Sequence, residues 1–446
     1  MPTNCRSKYL NLFRELNGSR RPPCPANGTL TAGVDSVVGT SNDDVFNAFS
    51  VNASTGVTAT TLSAFDTIDG GAGTDTLNIY STTGANEVQE GTVRNVEIIN
   101  IFNQTAGAEF GNAAGTVDAS RFQGAQQIWQ IGNAIDVSNI AAATTIGLRN
   151  IASTTVDLEF DSASANVVLE NVADGTAVRF FGETLTTATV SGSIAQDAVA
   201  SVVEVLELHD HTENAAGTSD QLITTLNLSL TTRTEVDLSN EFDSLVTFNA
   251  VGSTAGLVVE FDGSQTALQA ASFGGGVDNV TIADLSTFDS ETLAVNLGAG
   301  NDIITITTTL QGGDEVTSLS MTLGAGRDQV TFTDLINLDV DATEETVNGI
   351  ISITDFNGAQ DSLNAGTTGT AYTITNADLI ELESAGSLYE FLDYLAGNVA
   401  GGYAVFQYEG STYVFNDDAT AGLNSGDGLV QLVGFTGALN DTNFVA

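Results

Sequence analysis

Beyond residue 25 the chain has no proline, cysteine or lysine, and Lys8 is its single lysine. Proline removes a backbone donor, so its scarcity suits a structure built from hydrogen-bonded ladders. A body without thiols needs no oxidative folding and risks no cross-linking inside a cell, which is compatible with export. No stretch approaches the roughly 18 apolar residues of a membrane helix, so no membrane insertion is expected. Positive charge is also nearly missing. From Gly28 onward six arginines face 55 acids, a net of −49. Such a surface repels phosphates and anionic headgroups, which excludes nucleic acid as a partner. It also repels itself, and divalent cations relieve that repulsion most directly. The acidity has a second reading, a solvated shell that serves solubility alone.

The first 28 residues have a different character. They hold all four prolines (Pro2, Pro22, Pro23, Pro25), both cysteines (Cys5, Cys24) and five of the eleven basic residues. They lack the apolar core of a signal peptide. The segment reads as a basic leader, a surface anchor or an upstream extension foreign to the folded protein, with Cys5 and Cys24 available for a disulfide. The rest divides into an N-terminal β region at 29–120, a body at 121–345 and a C-terminal region at 346–446.

Disorder fits poorly, since only 15% of residues are charged and 42% are hydrophobic. Short strand-like runs recur instead. They include Ile128–Ile131, Thr145–Leu148, Val167–Leu169, Ala188–Val190, Val205–Leu208, Leu226–Leu228, Val246–Phe248, Ala271–Phe273, Val295–Leu297 and Met321–Leu323, their ends 17 to 26 residues apart. That spacing, with a second short strand in each interval, predicts an all-β parallel solenoid in which stacked rungs bury a continuous apolar column. An ordinary β-sandwich is the alternative. A helix is expected over Asn376–Leu395, capped by Thr375 or Asn376, and a short one near Asp118–Ser120.

Gly70-Gly71-Ala72-Gly73-Thr74-Asp75-Thr76-Leu77-Asn78 fits the calcium nonapeptide G-G-x-G-x-D-x-U-x at every fixed position, with Asp69 just before it. Glycines allow the turn to aim carbonyl oxygens inward, and the aspartate adds a hard anionic oxygen of the kind Ca²⁺ prefers. A full shell needs two stacked turns. Related turns occur at Gly274–Asp278 (with Gly276), Gly298–Asp302 (with Gly300) and Gly324–Asp328 (with Gly326), at Asp-to-Asp spacings of 24 and 26 residues. Solenoid stacking would place these three in one column, with calcium expected between the last two. Arg327 puts a cation at a variable position of the last turn. Gly39–Phe46, containing Asp43 and Asp44, reads as a degenerate half-repeat that could pair with 70–75.

The nonapeptide resembles the RTX repeat of proteins exported by type I secretion. Ile353-Thr354-Asp355-Phe356, continuing to Asp361-Ser362-Leu363, resembles the segment that follows RTX arrays, and the resemblance implies calcium-binding roles for Asp355 and Asp361. Tyr413–Asp417 and Asp427–Gly434 resemble the C-terminal hairpin region of that class, and Asn443–Ala446 resembles its uncleaved export signals. The motifs here are scattered singles and not a tandem array. In a lysine-poor, Thr/Ala/Asn/Gly-rich chain, that pattern resembles bacterial S-layer proteins and adhesins carried by this route. The resemblance implies Ca²⁺ as the cofactor, type I machinery and the chain itself as partners, cell-surface polysaccharide as a candidate partner, and a location outside a Gram-negative-type cell.

Signs of catalysis are few. The two histidines, His209 and His211, lack H-E-x-x-H spacing, though a strand would put both on one face with Glu207. No G-x-S-x-G elbow or body cysteine is present. A β-helix polysaccharide lyase would use cationic groups, and Arg121, Arg149, Arg179 and Arg233 fall in separate rungs. A non-enzymatic, self-assembling, calcium-dependent surface or matrix protein is therefore expected, with a glycan- or host-binding adhesin as the alternative.

Overall fold

A computed structural model describes residues 27–50, 60–81, 91–103, 117–196, 203–211, 221–238, 242–289, 292–307, 318–333, 338–341, 345–364, 370–439 and 443. The Cys5–Cys24 arm and the terminal Phe444–Ala446 lie outside the described residues. The chain falls into two compact units: residues 1–152 with 156–161, and residues 153–155 with 162–446.

In the first unit, strands Asn27–Thr29, Val45–Phe49, Thr76–Ser81, Ile98–Asn103, Gln127–Ile131 and Thr145–Arg149 pair in parallel, each with the next. Two further parallel ladders complete the rungs. One joins Ser36–Val38, Thr67–Asp69, Thr92–Arg94 and Phe122–Gln123, and the other joins Val117–Asp118, Val137–Ile140 and Thr155–Phe160. Alternation decides which side is inside. Phe46, Leu77, Ile99, Ile128 and Ile146 stand in register and are all buried, so one apolar column runs through five rungs. The outer face carries its own ladders. Asn78 donates to Asn47 (3.1 Å) and Asn100 to Asn78 (2.9 Å). Beside them the rings of Phe49, Tyr80 and Phe102 stack at 5.0 and 4.7 Å.

The second unit repeats this logic with two long parallel ladders. The first joins Ser164–Val172, Thr187–Ile194, Thr225–Leu230, Thr247–Asn249, Ala270–Ser272, Thr292–Asn296, Ser318–Thr322, Ile351–Ile353 and Gly428–Leu432. The second joins Thr176–Phe181, Glu204–Asp210, Thr234–Asp237, Leu257–Phe261, Asn279–Ile282, Ile303–Ile306, Gln329–Phe332 and Ser362–Asn364. The inner columns are Leu226, Phe248, Ala271, Val295, Met321, Ile353 and Leu432 on one side, and Val236, Val259, Val280, Ile304, Val330 and Leu363 on the other. Neither face alone could bury these residues, so the rungs are stable only as a stack. The expected parallel all-β body is what the chain forms.

One rung was misread from spacing. Val205–Leu208 does not sit between Ala188–Val190 and Leu226–Leu228, because Thr187–Ile194 pairs directly with Thr225–Leu230. Val205–Leu208 belongs to Glu204–Asp210 in the opposite ladder. The rung is simply longer there, and equal apolar spacing does not tell one sheet from the other.

The helical region also differs from expectation. It forms two helices, α1 at Asn376–Ser384 and α2 at Leu388–Val399. Thr375 and Asp378 make a capping box for α1, and Ser387 caps α2, so Ala385-Gly386-Ser387 divides what periodicity reads as one helix. Leu379 and Ile380 are exposed, while Phe391, Leu392 and Leu395 of α2 pack with Phe406, Phe415 and Leu429. The strands Tyr403–Tyr408, Ser411–Asn416 and Gly428–Leu432 form an antiparallel meander, the last of them continuing the parallel stack. The helix expected near Asp118 is a single 3₁₀ turn, Ala119–Arg121, capped by the Asp118 carboxylate.

Candidate metal sites

Asp44, Asp75, Asp278, Asp302, Asp328 and Asp361 each immediately precede a strand, where the chain leaves a turn and joins the ladder, whereas Asp43, Asp69 and Asp355 do not. That placement aligns the acids of successive rungs. In the second unit the Asp278 N–H donates to Asp302 Oδ1 (2.8 Å), Asp302 N–H to Asp328 Oδ1 (2.9 Å) and Asp328 N–H to Asp361 Oδ1 (3.1 Å). Leu257 N–H donates to Asp278 Oδ1 (2.6 Å) at one end, and Asn357 N–H to Asp361 Oδ2 (2.8 Å) at the other. All four carboxylates are buried, at 1%, 0%, 1% and 3% exposure.

On three of the four one oxygen is left over, whereas both oxygens of Asp361 accept an N–H. The Oδ2 atoms of Asp278, Asp302 and Asp328 are buried and receive no hydrogen bond. Burying a charged oxygen without a partner costs several kcal/mol. The cost appears as proton affinity. Burial, with the neighbouring Asp302 charge adding, pushes the Asp278 carboxyl up to about 7. Burial and Asp328 push Asp302 up to about 6. Asp328 and Asp361 are raised for the same reasons, burial first and Asp355 among the charges.

The glycine turns stack beside this column. Gly275, Ala299 and Ala325 bridge in parallel, and Gly276, Gly298, Gly324 and Gly326 adopt positive φ. The closest approach is at Gly300 and Gly326. A Cβ on Gly300 would lie 1.7 Å from the Gly276 carbonyl oxygen, and one on Gly326 would lie 1.4 Å from that of Gly300. Only glycine permits turns this close. Asp355 stands apart from the carboxylate column and caps the turn. Its two oxygens accept the Leu323 and Gly324 N–H groups, both at 2.8 Å. Arg327 is exposed, and its backbone N–H binds Asn301 Oδ1 (2.9 Å).

The first unit carries a shorter ladder of the same design. Asp44 N–H donates to Asp75 Oδ1 (2.7 Å), and Asp75 N–H to Glu97 Oε2 (2.8 Å). Asp44 and Asp75 are fully buried, and Asp75 Oδ2 is an unpartnered buried oxygen. Burial raises the Asp75 carboxyl, with Asp44, Glu97 and Asp43 adding repulsion. The turn at 39–44 lies on that at 70–75. Thr74 N–H donates to Asp43 Oδ1 (2.8 Å) and Ala72 N–H to the Thr40 carbonyl (3.1 Å). Gly71 and Gly73 adopt positive φ, with the backbone of Thr40 and Asn42 beneath them. Asp69 has other partners, Asn95 (2.8 Å) and Arg94 (3.0 Å), which hold its carboxyl below the ordinary value.

Motif reading missed Glu97, which belongs to no glycine turn, although it directly precedes the strand Ile98–Asn103 as Asp75 precedes Thr76. It also missed a second cluster. Carboxylate oxygens of Asp417, Asp418 and Asp427 lie within 4.8 Å of one another, an arrangement able to hold a metal ion. Glu207 and His209 share a strand face at 3.6 Å, and His211, one residue past the strand's end, stacks on His209 at 5.7 Å, but Arg179 faces His209 in the adjacent strand.

The donor set of the ladders suits a hard cation. It is all oxygen, anionic and arranged at the roughly 4.8 Å repeat of paired strands. No protein-family model matches the chain, and no curated protein matches it. Among the described residues no helix is long and apolar enough to cross a membrane.

Proposed function

We propose that the protein is a calcium-dependent, self-assembling structural protein of a secreted surface layer or extracellular matrix, exported by a type I route. The observation that carries this reading is the run of unpartnered buried oxygens at Asp278, Asp302 and Asp328. Ca²⁺ would supply the positive charge that the chain lacks, held by Asp278, Asp302, Asp328 and Asp361 in one unit and by Asp44, Asp75 and Glu97 in the other. A stack that carries uncompensated buried charge in a low-calcium cytoplasm is poorly stable, which suits export before folding. Ion binding stabilises by RT ln(1 + [Ca]/Kd), about 2.7 kcal/mol per site at 100-fold excess, so several sites decide folding. The arginines fit a structural role better than a polymer clamp. Arg94 pairs with Asp69 and Arg121 with Asp118, while Arg149 lies over Trp129. Support for assembly comes from exposed apolar side chains on neighbouring rungs, Val34, Val38 and Phe65 at 71%, 70% and 78% exposure.

Electron microscopy of purified protein before and after calcium addition tests the proposal. Sheets or filaments that form with Ca²⁺ and dissolve in chelator are the expected result. Folded monomers that persist in calcium would overturn self-assembly and favour the adhesin.

A further inference from the structure

We infer that Asp417, Asp418 and Asp427 form a discrete Ca²⁺ site that closes the C-terminal meander, separate in construction from the aspartate ladders. The inference does not rest on the surface-layer reading. Strand pairing builds the site. Asn416 and Gly428 are register partners at the ends of antiparallel strands, so Asp417 and Asp418 leave one strand where Asp427 enters the other. The carboxylates therefore meet through the fold and not through chance contact of surface side chains.

Hydrogen bonds from the loop and from within the cluster hold the three residues in place. Asp427 is fully buried and accepts the N–H groups of Asp418 (3.0 Å) and Asn424 (2.9 Å). Asp418 is fixed by the Thr420 N–H (2.7 Å) and hydroxyl (2.8 Å) and by the Asn424 amide (3.2 Å). Asp417 is 3% exposed, and Gly401 N–H binds its Oδ2. Its Oδ1 is buried and receives no hydrogen bond. That orphaned oxygen, in a cluster whose oxygens lie within 4.8 Å, is the feature that hydrogen bonding within the loop leaves unexplained. Residues 328–446, which include the whole loop, contain no lysine, arginine or histidine to neutralise it.

Three carboxylates with no nitrogen or sulfur donor select a hard cation, and Ca²⁺ accepts a loop-built, irregular oxygen shell more readily than octahedral Mg²⁺ does. The ion would tie together segments that now meet through few bonds. Asp427 carbonyl accepts Leu338 N–H (2.8 Å), and Leu423 N–H donates to Asp393 of α2 (3.1 Å). Calcium there would lock the 417–427 loop onto both the meander and the helices.

Calorimetric titration of the full chain with Ca²⁺ tests the inference, comparing Asp427→Asn and Asp418→Asn with the ladder variant Asp302→Asn. Asp427→Asn is expected to lose one bound ion, and Asp418→Asn to weaken one site at least 10-fold, with the ladder ions retained. Calcium should protect the 418–426 loop from proteolysis in the parent and in Asp302→Asn, but not in Asp427→Asn. Asp418 is half-exposed, so its variant decides the matter if Asp427→Asn fails to fold. Unchanged stoichiometry and affinity in Asp418→Asn would overturn the site, and equally tight binding of Mg²⁺ there would overturn its assignment to calcium.

Discussion

The ladder at Asp44, Asp75 and Glu97 and the ladder from Asp278 to Asp361 follow one rule of construction in different electrostatic surroundings. In both, an acid precedes each strand, and its N–H binds the next acid's carboxylate. The shorter ladder leaves a single such orphaned oxygen, on Asp75, and its unit has Arg94 to satisfy Asp69. The longer one leaves three in succession, and burial lifts Asp278 to about 7 and Asp302 to about 6. Backbone pairing aligns acids equally well in either place. What differs is how much buried charge accumulates, and hence how much a cation has to offset.

The largest break in this comparison should come from Asp302→Ala, which removes both the acceptor for Asp278 N–H and a proposed ion ligand. We expect a loss of about 3–5 kcal/mol in calcium, the range for disrupting a buried charge network. Asp302→Asn sharpens the test, because the amide keeps the acceptor and deletes the charge. It should destabilise the protein in Ca²⁺ yet leave it equal or more stable in chelator, as read by thermal unfolding in both buffers.

The pH response should be next in size. The Asp278 and Asp302 pKa values lie above the ordinary 3.8 when folded, so without cation the folded state holds protons that the unfolded chain releases. Stability in chelator is then greatest near pH 4 and falls as pH rises through 6 and 7, by on the order of a few kcal/mol. Calcium binds the charged form, so the fall should vanish or reverse in its presence. Denaturant titrations from pH 4 to 8, with and without Ca²⁺, check both slopes.

Gly326→Ala tests the turns that flank the longer ladder. Its Cβ would meet the Gly300 carbonyl oxygen, a backbone atom that cannot swing away, at a φ of +156°. A loss of about 2–3 kcal/mol is expected, with a higher calcium midpoint for folding. The smallest effect falls on the shorter ladder. Asp75→Ala should cost about 1–3 kcal/mol and raise the calcium needed for folding less than Asp302→Ala does. An equal or larger effect would erase the distinction between the two.

Much of this was legible because a solenoid repeats its signals. Alternation in Thr76-Leu77-Asn78-Ile79 marks an inner face directly, and glycine turns before Asp302 and Asp328 mark the corners. Position along the repeat was harder to read. Val205–Leu208 has the same alternation as Ala188–Val190 and belongs to the other sheet, since periodicity carries no label for the face of a rung. The helix break at Gly386-Ser387 follows from a cap that outcompetes continued periodicity. Glu97 escaped because the sought signal was glycine, whereas the common feature is an acid just before a strand. Asp418 and Asp427 escaped because their meeting depends on antiparallel register, which no local motif encodes.

The claim beneath all of this is that cations offset charge buried by the stacking of rungs. Circular dichroism of the metal-stripped chain at low ionic strength, before and after calcium is restored, tests it most directly. The account predicts an unfolded or much less stable chain in EDTA that recovers β structure on adding Ca²⁺. Identical spectra and unfolding midpoints in the two conditions, with no metal retained, would contradict it.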